Sequence, residues 1–562
     1  MKKKWEYLEQ DEELIKQIAT KHNISELLAK ILVNRGITGE EEIEIFLNPK
    51  RNNFHNPFLL NDMEKAVDRI IKAIETKEKT IIYGDYDVDG ITSITVLKKF
   101  LNERGLQVDY YIPNRLEEGY GLNDEAIKKI AEQGYTLMIT VDCGISGIEE
   151  VKKATSYGIE TIITDHHEQL ETLPEAYAIV NPKRKDNTYP FRGLAGVGVV
   201  FKVIQAISQK LNLDEKEYLK YLDIVCIGTI SDIVPLVDEN RVIAKLGLML
   251  VKCTKNIGLR ELIKETGYKN VDSFMVSFGI APRINACGRM GKQEEALELF
   301  LTDDYEKACT ITKNLNQYNL QRQEIEKNIF DQAIEELQKE NIDNLNSIVL
   351  AGENWHHGVI GIVASRITEK YFKPTILIGI ENEIGKGSGR SVPGFDLHDA
   401  LAQSAEYLEK YGGHEMAVGL SLNKDKIKDF KIHFEQIAKD KNVKSIVPVI
   451  KIDCEIGKKE LNKQTVEQIK LLEPFGEKNK PPLISYKNLK IVSIRTLSEG
   501  KHLKLMLKDG NDTVNAIGFN LGELINDYLI GDKVDVVGTL EINNYNCEEQ
   551  IQINIKDMMK SI

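Results

Sequence analysis

Between residues 80 and 164 the sequence alternates short apolar runs with amphipathic stretches of helical spacing. The apolar runs predict strands at 80–83, 108–113, 136–141 and 159–164. The stretches between them predict helices at 91–102, 124–133 and 148–157, and another helix is expected at 62–76. Strands that alternate with helices in this way favour a parallel, doubly wound α/β sheet.

Acidic and imidazole side chains follow three of the predicted strands. A further aspartate, Asp232, lies after a predicted helix at 215–228, in a turn that Pro235 stops. In open α/β sheets ligands bind beyond the carboxyl ends of the strands, so we expect all these side chains to share one rim. The residues at the strand ends are Asp85, Asp87, Asp89, Asp142, Asp165, His166 and His167.

The aspartates at positions 85, 87 and 89 are the sharpest local signal. Residues two apart in an extended segment point the same way, so these carboxylates are expected to crowd one face. A divalent cation relieves that repulsion, because hard cations take oxygen ligands. Each residue alone fits a turn or a helix N-cap equally well. Carboxylates and imidazoles from four segments together favour Mn²⁺ or Mg²⁺ over structural zinc and indicate a two-metal phosphoesterase centre.

The composition limits the classes of protein to which this chain can belong. Its 562 residues predict about three or four domains, and 42% hydrophobic with 29% charged residues is ordinary for a globular protein. The net charge of −13 argues against nucleic-acid binding through an overall field but allows a local basic groove. No apolar run has transmembrane length, and the Lys-rich start is not a signal peptide. Seven cysteines without a CxxC pair indicate free thiols, so we expect a cytoplasmic protein without membrane partners.

Glycine-rich and basic segments after residue 180 leave their interpretations open. Gly193, Gly196 and Gly198 precede an apolar helix and fit close helix packing about as well as phosphate binding. The basic run at 183–185 fits a backbone-tracking segment or a solvated loop. Arg115 lies after the second strand, near the predicted rim, and Arg283 and Arg289 lie in a compact basic loop with Asn285. For each arginine a surface salt bridge is the plainer interpretation, and a bidentate phosphate contact is the functional one.

The second half of the chain predicts two more structured regions. A long helix at 305–340 leads into another α/β unit, whose segment at 385–391 reads as a flexible glycine-rich loop that can approach phosphate. The glycines at 412–413 before His414 repeat that pattern. From residue 447, five short antiparallel strands predict a small barrel that suits an OB-fold, a fold that binds single strands. Its candidate contacts are Lys490, Arg495, His502, Lys504, Phe519 and Tyr545, each of which is also an ordinary surface residue.

Several of these segments carry a family resemblance. GDYDVDGITS, VDCG, DHH and SDIVPL, in that order, resemble motifs I to IV of the DHH phosphoesterase superfamily. From about residue 45 onwards the chain is also similar to that superfamily's single-stranded-DNA-specific exonucleases. The segments that carry this second resemblance are IPNRLEEGYGL, APRINACGRM, WHHGVIGIVASRI, GKGSGRSVPGFDLHDAL and GGHEMAVGL.

The resemblance implies roles for individual residues. Asp85 and His167 would sit beside the metals, with His167 stabilising the transition state or protonating the leaving group, and Tyr83 stands where phosphatase relatives often carry a histidine. Arg115 and Arg289 would contact phosphate, with Arg283 and Asn285 as further substrate contacts. Ser388, Arg390 and His414 would bind substrate in a DHHA1 domain. The metal ligands would be Asp87, Asp89, Asp142, His166 and Asp232.

The favoured hypothesis is therefore an exonuclease that releases 5′-mononucleotides from single-stranded DNA with two metal ions, and the resemblance alone supplies its 5′-to-3′ direction and its repair role. A single-strand-binding protein and a helicase are partners that the resemblance implies. The alternatives are a phosphoesterase for oligoribonucleotides, cyclic dinucleotides or adenosine bisphosphate, and a metal-dead DNA-binding scaffold. The expected domains are a helical segment at 1–50, a DHH domain at 51–304, a connecting helix at 305–342, a DHHA1 domain at 343–445 and an OB-fold at 446–562.

Overall fold

The structure is a computed structural model that describes residues 3–9, 11–115, 118–545 and 548–561. Its contacts divide the chain into two compact units. The first contains Met1–Asn53, Pro235–Lys245 and Val447–Ile562, and the second contains Phe54–Val234 and Leu246–Ile446.

Helices and strands are numbered in chain order. The helices are α1 (Glu12–His22), α2 (Glu26–Asn34), α3 (Glu40–Leu47), α4 (Met63–Thr76), α5 (Val88–Asn102), α6 (Asp124–Glu132), α7 (Ile148–Ser156), α8 (Gly196–Lys210), α9 (Lys216–Leu219), α10 (Leu222–Ser231), α11 (Asp238–Val251), α12 (Ile257–Thr266), α13 (Ser273–Met275), α14 (Ala281–Arg289), α15 (Gln293–Leu301), α16 (Tyr305–Gln338), α17 (His357–Tyr371), α18 (Leu397–Gln403), α19 (Ile427–Asp440) and α20 (Lys463–Lys470). The strands are β1 (Lys4–Tyr7), β2 (Thr80–Gly84), β3 (Val108–Tyr111), β4 (Leu137–Val141), β5 (Glu160–Thr164), β6 (Ala178–Val180), β7 (Ile348–Glu353), β8 (Thr375–Glu381), β9 (Ile384–Arg390), β10 (Lys410–His414), β11 (Ala417–Asn423), β12 (Val449–Ile452), β13 (Cys454–Glu455), β14 (Ile484–Leu497), β15 (His502–Asp509), β16 (Asp512–Gly518), β17 (Lys533–Tyr545) and β18 (Glu548–Lys560).

The predicted doubly wound sheet is confirmed. Its strands lie in the order β3-β2-β4-β5-β6, and every neighbouring pair is parallel. Side chains such as Ile81, Met138 and Ile163 face a core that includes Ile127 of α6 and Val151 of α7. Helices α4, α5 and α8 contact the sheet separately from that core. Both faces are covered, so the central strands β2 and β4 are wholly buried and read as continuous apolar runs.

The placement of the three alternate aspartates differs from the extended segment that we expected. Strand β2 ends at Gly84, and Asp87 is already the N-cap of α5, where its side chain accepts hydrogen bonds from the backbone N–H groups of Asp89 and Gly90. Asp89 therefore lies in the first turn of a helix. The expectation that all three point the same way as strand residues is wrong, because N-capping by Asp87 starts the helix before the third aspartate.

The second α/β unit is a five-stranded sheet in the order β10-β11-β9-β8-β7. The segment at 385–391, which we expected to be a flexible loop, is mostly strand β9, and residues 412–414 belong to the edge strand β10. The glycines of β9 face packed side chains, since a Cβ at Gly387 would lie 2.9 Å from Cγ of Leu420. Close packing thus explains these glycines. The expected long helix is confirmed as α16, which has 34 residues.

The C-terminal region forms a closed five-stranded barrel, as predicted. Its strands pair in the order β14-β15-β16-β18-β17, and β14 also pairs with β17 to close the barrel. Strand β14 has 14 residues and β17 and β18 have 13, so these strands are longer than expected. The expectation of a purely antiparallel arrangement is also wrong, because β18 inserts between β16 and β17 and runs parallel to β16.

The first 50 residues are not entirely helical, because β1 pairs in parallel with β12. Helices α1, α2 and α3 share one hydrophobic core with the barrel, through residues such as Ile15, Leu28 and Phe46. Arg241, which is 1% exposed, donates hydrogen bonds to the backbone carbonyls of Phe46, Leu472 and Glu473 and so joins three segments of this unit. Among the described residues, no helix is both long and apolar enough to cross a membrane.

Candidate metal centre

Strand β5 ends in a loop that Asp165 organises. Its buried carboxylate accepts hydrogen bonds from the backbone N–H groups of His166 (2.7 Å), His167 (3.1 Å) and Ile145 (2.9 Å). Its Oδ1 also lies 2.8 Å from Nδ1 of His167. Burial alone would raise the pKa of Asp165, but the hydrogen bond with His167 and then the charge of that imidazole lower it to about 2. Asp165 therefore stays ionised and fixes the positions of both histidines.

Three carboxylates surround the Nε2 atom of His166. This atom lies 3.1 Å from Oδ1 of Asp142, 3.6 Å from Oδ2 of Asp232 and 3.8 Å from Oδ2 of Asp89. Burial, and then the charge of His167, lower the pKa of His166 to about 3, so the ring is neutral and can act as a ligand. The four side chains come from four separate segments, which the structure brings together as the sequence predicted.

Asp89 is held by the N-terminus of helix α8. The backbone N–H of Gly196 donates to Oδ2 of Asp89 (2.6 Å), and that of Val197 donates to Oδ1 (2.8 Å). A Cβ at Gly196 would lie 2.7 Å from both Cβ and Oδ1 of Asp142. Of the two interpretations left open for this glycine-rich segment, close packing is favoured, because the helix N-terminus binds an aspartate of the chain itself.

Asp142 also belongs to a second group of ligand atoms. One oxygen each from Asp85, Asp87 and Asp142 lie within 4.8 Å of one another, as do ligand atoms of Asp89, His166 and Asp232. Asp142 also forms a third such group with His166 and His167, so the groups adjoin one another. Asp85, which we expected only beside the metals, is therefore as well placed to be a ligand as Asp87.

Buried atoms without partners support a cation at this place. Oδ1 of Asp85, Oδ1 of Asp142, Nε2 of His166 and Oδ2 of Asp232 are buried and make no hydrogen bond within the described part of the chain. Burial and the neighbouring carboxylates raise the pKa of Asp89 to about 7 and that of Asp232 to about 9, and they raise the pKa values of Asp85 and Asp142 as well. Oxygen donors with one imidazole suit Mn²⁺ or Mg²⁺, so the residues fit the expected cofactor.

The turn that carries Asp85 and Asp87 is tightly packed. A Cβ at Gly90 would lie 2.3 Å from the backbone oxygen of Asp85, so only glycine fits there. Oδ1 of Asn285, on α14, accepts a hydrogen bond from the backbone N–H of Val88 (3.2 Å). Asn285, which we predicted to be a substrate contact, thus supports the turn of the ligands.

His167 contacts a tyrosine that our sequence reasoning missed. The hydroxyl of Tyr120 lies 3.0 Å from Nδ1 of His167 and donates to the backbone oxygen of Asp142 (3.2 Å). Burial opposes protonation of His167, but the carboxylate of Asp165 outweighs it and raises the pKa of His167. The only sequence signal for Tyr120 was its place in the segment that follows Arg115.

Three arginines gather beside this centre. Burial and the positive charge of Arg115 lower the pKa of Arg289 to about 10, and they also lower the pKa of Arg390. Arg115 itself lies over the ring of Tyr86, the residue next to Asp85. Among the described residues, these three guanidinium groups form no ion pair with a carboxylate. Arg289 donates to the backbone oxygen of Gly358 (2.5 Å), and Arg390 donates to Oγ of Ser388 (3.1 Å). Mutually repelling arginines that lack acidic partners are typical of a phosphate site.

His414 lies in line with this cluster, whereas Arg283 and Tyr83 do not reach the ligands. In the sheet register, His414 pairs with Ala417, which pairs with Arg390. Residues 281–289 are helix α14 instead of the expected loop, and Arg283 donates to the backbone oxygen of Gly279 (2.7 Å) and to Asn316 (3.1 Å). Tyr83 packs in the core beneath α6, and its hydroxyl donates to Gly121 (2.9 Å).

Comparison with protein families assigns each region of this architecture. Residues 79–229 match the DHH family, N-terminal domain, residues 344–440 match the DHHA1 domain, and residues 452–557 match the RecJ OB domain. Together with the geometry of the site, these matches define a DHH-type phosphoesterase with an attached DHHA1 domain and OB barrel.

Individual relatives narrow this class. The chain is 38% identical to the single-stranded-DNA-specific exonuclease RecJ of Bacillus subtilis (strain 168), over 99% of this chain and 71% of that protein. Two crystal structures of RecJ from Thermus thermophilus also match 100% of this chain. The complex with Mn²⁺ has a TM-score of 0.86 at 29% identity over 80% of its chain, and the complex with Mg²⁺ has a TM-score of 0.80 at 27% identity over 79%. This chain belongs to the RecJ family, which confirms the resemblance drawn from its motifs.

Proposed function

We propose that this protein is a metal-dependent exonuclease specific for single-stranded DNA, which removes 5′-mononucleotides in the 5′-to-3′ direction and serves DNA repair and recombination. The observation that carries the proposal is the set of adjoining ligand groups, which contain buried oxygen and nitrogen atoms without partners within the described part of the chain. Membership of the RecJ family supplies the substrate class.

The ligands that we assign to the metal ions are the five predicted from the resemblance, with Asp85 added. Asp89, His166 and Asp232 would hold one ion and Asp85, Asp87 and Asp142 would hold the other. Asp142 also lies 3.1 Å from Nε2 of His166, so it lies next to the first group as well. When bound, paired Mn²⁺ or Mg²⁺ ions activate a water molecule and neutralise charge on a phosphate oxygen.

The chain's own residues orient the reaction. Asp165 and Tyr120 fix the ring of His167 at the edge of the ligand groups, where it can stabilise the transition state or protonate the leaving oxygen. The α8 N-terminus fixes Asp89, so that the site is preorganised before substrate arrives.

The arginine cluster explains why cleavage starts at an end. We propose that Arg115, Arg289 and Arg390, with Ser388 and His414, hold the terminal 5′-phosphate while the next phosphodiester lies at the residues that would hold the metal ions. Water attacks that phosphorus and the 3′-oxygen of the terminal nucleotide leaves. The released product is a 5′-mononucleotide, and the remaining strand has a new 5′-phosphate that the cluster can bind in the next cycle.

The barrel is the proposed platform for the rest of the strand. Lys504 lies opposite Arg495 on neighbouring strands, and Lys490 lies opposite Lys508. Directly opposed like charges destabilise a sheet unless an anion lies over them. The exposed ring of Phe519 packs edge-on against His502 and offers a stacking surface for bases. The side chain of the sixth candidate, Tyr545, lies outside the part of the chain that the structure describes.

Separate regions for hydrolysis, end recognition and strand binding favour a long substrate over the small-molecule alternative. We propose that residues 51–304 catalyse hydrolysis, 343–445 recognise the end, and 446–562 bind the strand, with 1–50 and the connecting helix at 305–342 as supporting segments. A cytoplasmic location, a single-strand-binding protein and a helicase stay predictions of the family resemblance.

The test compares single-stranded DNA labelled at the 5′ or the 3′ end with duplex DNA and RNA, in Mn²⁺, Mg²⁺ or chelator. We expect labelled 5′-mononucleotides from the 5′-labelled single strand at the earliest times and no reaction in chelator. Release of mononucleotides first from the 3′ end would overturn the direction, and equal cleavage of duplex DNA would overturn the single-strand specificity.

A further inference from the structure

A cavity of about 500 Å³ opens beside the arginine cluster, and the proposed reaction does not use it. Its wall includes Arg115, Trp355, His356, Glu381 and Lys386. Arg115 belongs to this wall and to the arginine cluster, and Arg289 donates a hydrogen bond to Gly358, another residue of the wall. The cavity therefore adjoins the place where the terminal phosphate is held.

The first turn of helix α17 lies between the cavity and the arginine cluster. Gly358 lines the cavity, and its backbone oxygen accepts the hydrogen bond from Arg289. One turn later, a Cβ at Gly361 would lie 2.9 Å from Oγ of Ser388 and 3.1 Å from Nη2 of Arg390. A ligand on Ser388 and Arg390 thus lies next to the start of this helix.

The groups on the cavity wall suit additional negative charge. Lys386 lies on β9 two residues before Ser388, hence on the same face and about 6.6 Å further along the strand. It forms no ion pair within the described part of the chain. Nδ1 of His356 accepts the backbone N–H of Gly358 (3.1 Å), so in this tautomer Nε2 is a donor. The first turn of α17 contains no acidic residue, so its positive end is not neutralised locally.

One acidic group opposes this charge. Glu381 also lines the cavity, its side chain is 65% exposed, and its Oε2 lies 3.4 Å from Nε2 of His357. The exposed carboxylate is the only acidic group that lines the cavity among the described residues. Its removal should therefore strengthen anion binding.

Resting on the exonuclease function above, we propose that this cavity is a second phosphate subsite, which accepts the β- and γ-phosphates of a single strand whose 5′ end carries a di- or triphosphate. The α-phosphate occupies the arginine cluster, and the outer phosphates extend past the start of α17 towards Lys386. Hydrolysis consumes one water and breaks the same bond between phosphorus and the 3′-oxygen. The first nucleotide therefore leaves as a nucleoside 5′-di- or triphosphate, and later nucleotides leave as monophosphates.

Binding is measured on the full chain without metal, with inorganic tripolyphosphate and orthophosphate as probes. The protein has two tryptophans, and Trp355 lines the cavity, so the Trp5→Phe variant leaves Trp355 as the only indole reporter. We expect tripolyphosphate to bind at least about tenfold more tightly than orthophosphate. Lys386→Ala should remove that difference, and Glu381→Gln should increase it. Lys424→Ala, which removes a lysine paired with Glu353, is the matched control and should leave the affinities for both probes unchanged.

Turnover is then compared on oligodeoxynucleotides that carry a 5′-monophosphate or a 5′-triphosphate. We expect both oligodeoxynucleotides to be degraded. The first product from the one with a 5′-triphosphate should be a nucleoside triphosphate. Lys386→Ala should lower kcat/KM for the triphosphate end about tenfold relative to the monophosphate end. If the monophosphate end is degraded while the triphosphate end is not, or if Lys386→Ala leaves the ratio unchanged, the subsite is refuted and the exonuclease proposal stands. If neither end is degraded, the exonuclease proposal itself fails.

Discussion

The backbone N–H of Gly196 lies 2.6 Å from the carboxylate of Asp89, although 107 residues separate them in the chain. This contact places the N-terminus of α8 directly behind a ligand of the metal centre. The same glycine leaves room for Asp142, whose side chain would lie 2.7 Å from a Cβ at this position. One residue thus sets the distance between two ligands without contacting substrate.

We expect Gly196→Ala to lower kcat by about 10²-fold or more, because misplacing a catalytic group by about 1 Å has that cost. The added methyl group must displace Asp142, the start of α8, or both. The measurement is steady-state exonuclease activity with saturating Mn²⁺, together with the midpoint of thermal unfolding to exclude loss of the fold.

Gly198→Ala is the matched control, since a Cβ there would make only ordinary contacts, at 3.4 Å or more, with Leu194. Both variants replace glycine by alanine within the first turn of the same helix. If they lose activity equally, the cause is the helix and not the spacing between Asp89 and Asp142.

Much of this architecture could be predicted from the sequence, because its signals are local. The apolar runs that end at Asp142 and Asp165 define buried parallel strands, and the carboxyl ends of such strands meet at one edge. The same reasoning places His166 at that edge, whereas Asp232 follows a helix and was grouped with these residues for its chemistry. The long helix α16 was predicted from an uninterrupted stretch without proline or glycine.

The rest depends on contacts between distant segments. A glycine-rich run reads as flexible until Leu420 and Ile378 are seen to pack against it, which makes β9 a strand. The insertion of β18 between β16 and β17 leaves no local pattern either. Asn285 has the residue type of a substrate contact, and only the fold reveals that it accepts a hydrogen bond from Val88.

Asp89→Ala should abolish turnover and leave the dissociation constant for single-stranded DNA within about tenfold, because strand binding rests on other residues. The variant also leaves His166 and Asp232 without the third member of their group, so it should bind fewer Mn²⁺ ions per chain than the parent. Metal analysis after equilibrium dialysis measures the second effect. Cleavage at the parent rate by this variant would refute the ligand assignment.

Arg390→Ala should reduce the preference for a 5′-phosphorylated end over a 5′-hydroxyl end by about ten- to a hundredfold, since a hydrogen bond to a charged group contributes about 1.5–3 kcal/mol. The ratio of the two kcat/KM values measures this preference directly. Arg283→Ala is a suitable comparison, because that arginine donates to Gly279 and Asn316 within the domain. A parent enzyme that degrades both ends equally would contradict the phosphate site.

The metal-free protein should become less stable as the pH rises from about 5 to 9. The folded-state pKa of Asp89 is raised to about 7 and that of Asp232 to about 9, above the ordinary value of 3.8. A carboxyl group whose pKa is raised in the folded state stabilises the fold at a pH below its unfolded-state pKa. This contribution is lost as the pH rises through the folded-state pKa. The free energy of unfolding then falls by about 1.4 kcal/mol per pH unit for each extra proton that the folded state binds.

Denaturant unfolding in chelator measures this slope of the unfolding free energy against pH, and Asp89→Asn with Asp232→Asn should flatten it. Because a divalent ion favours the charged carboxylates, Mn²⁺ should stabilise the parent protein more at pH 8 than at pH 5.5, and the reverse order would contradict a cation among these side chains.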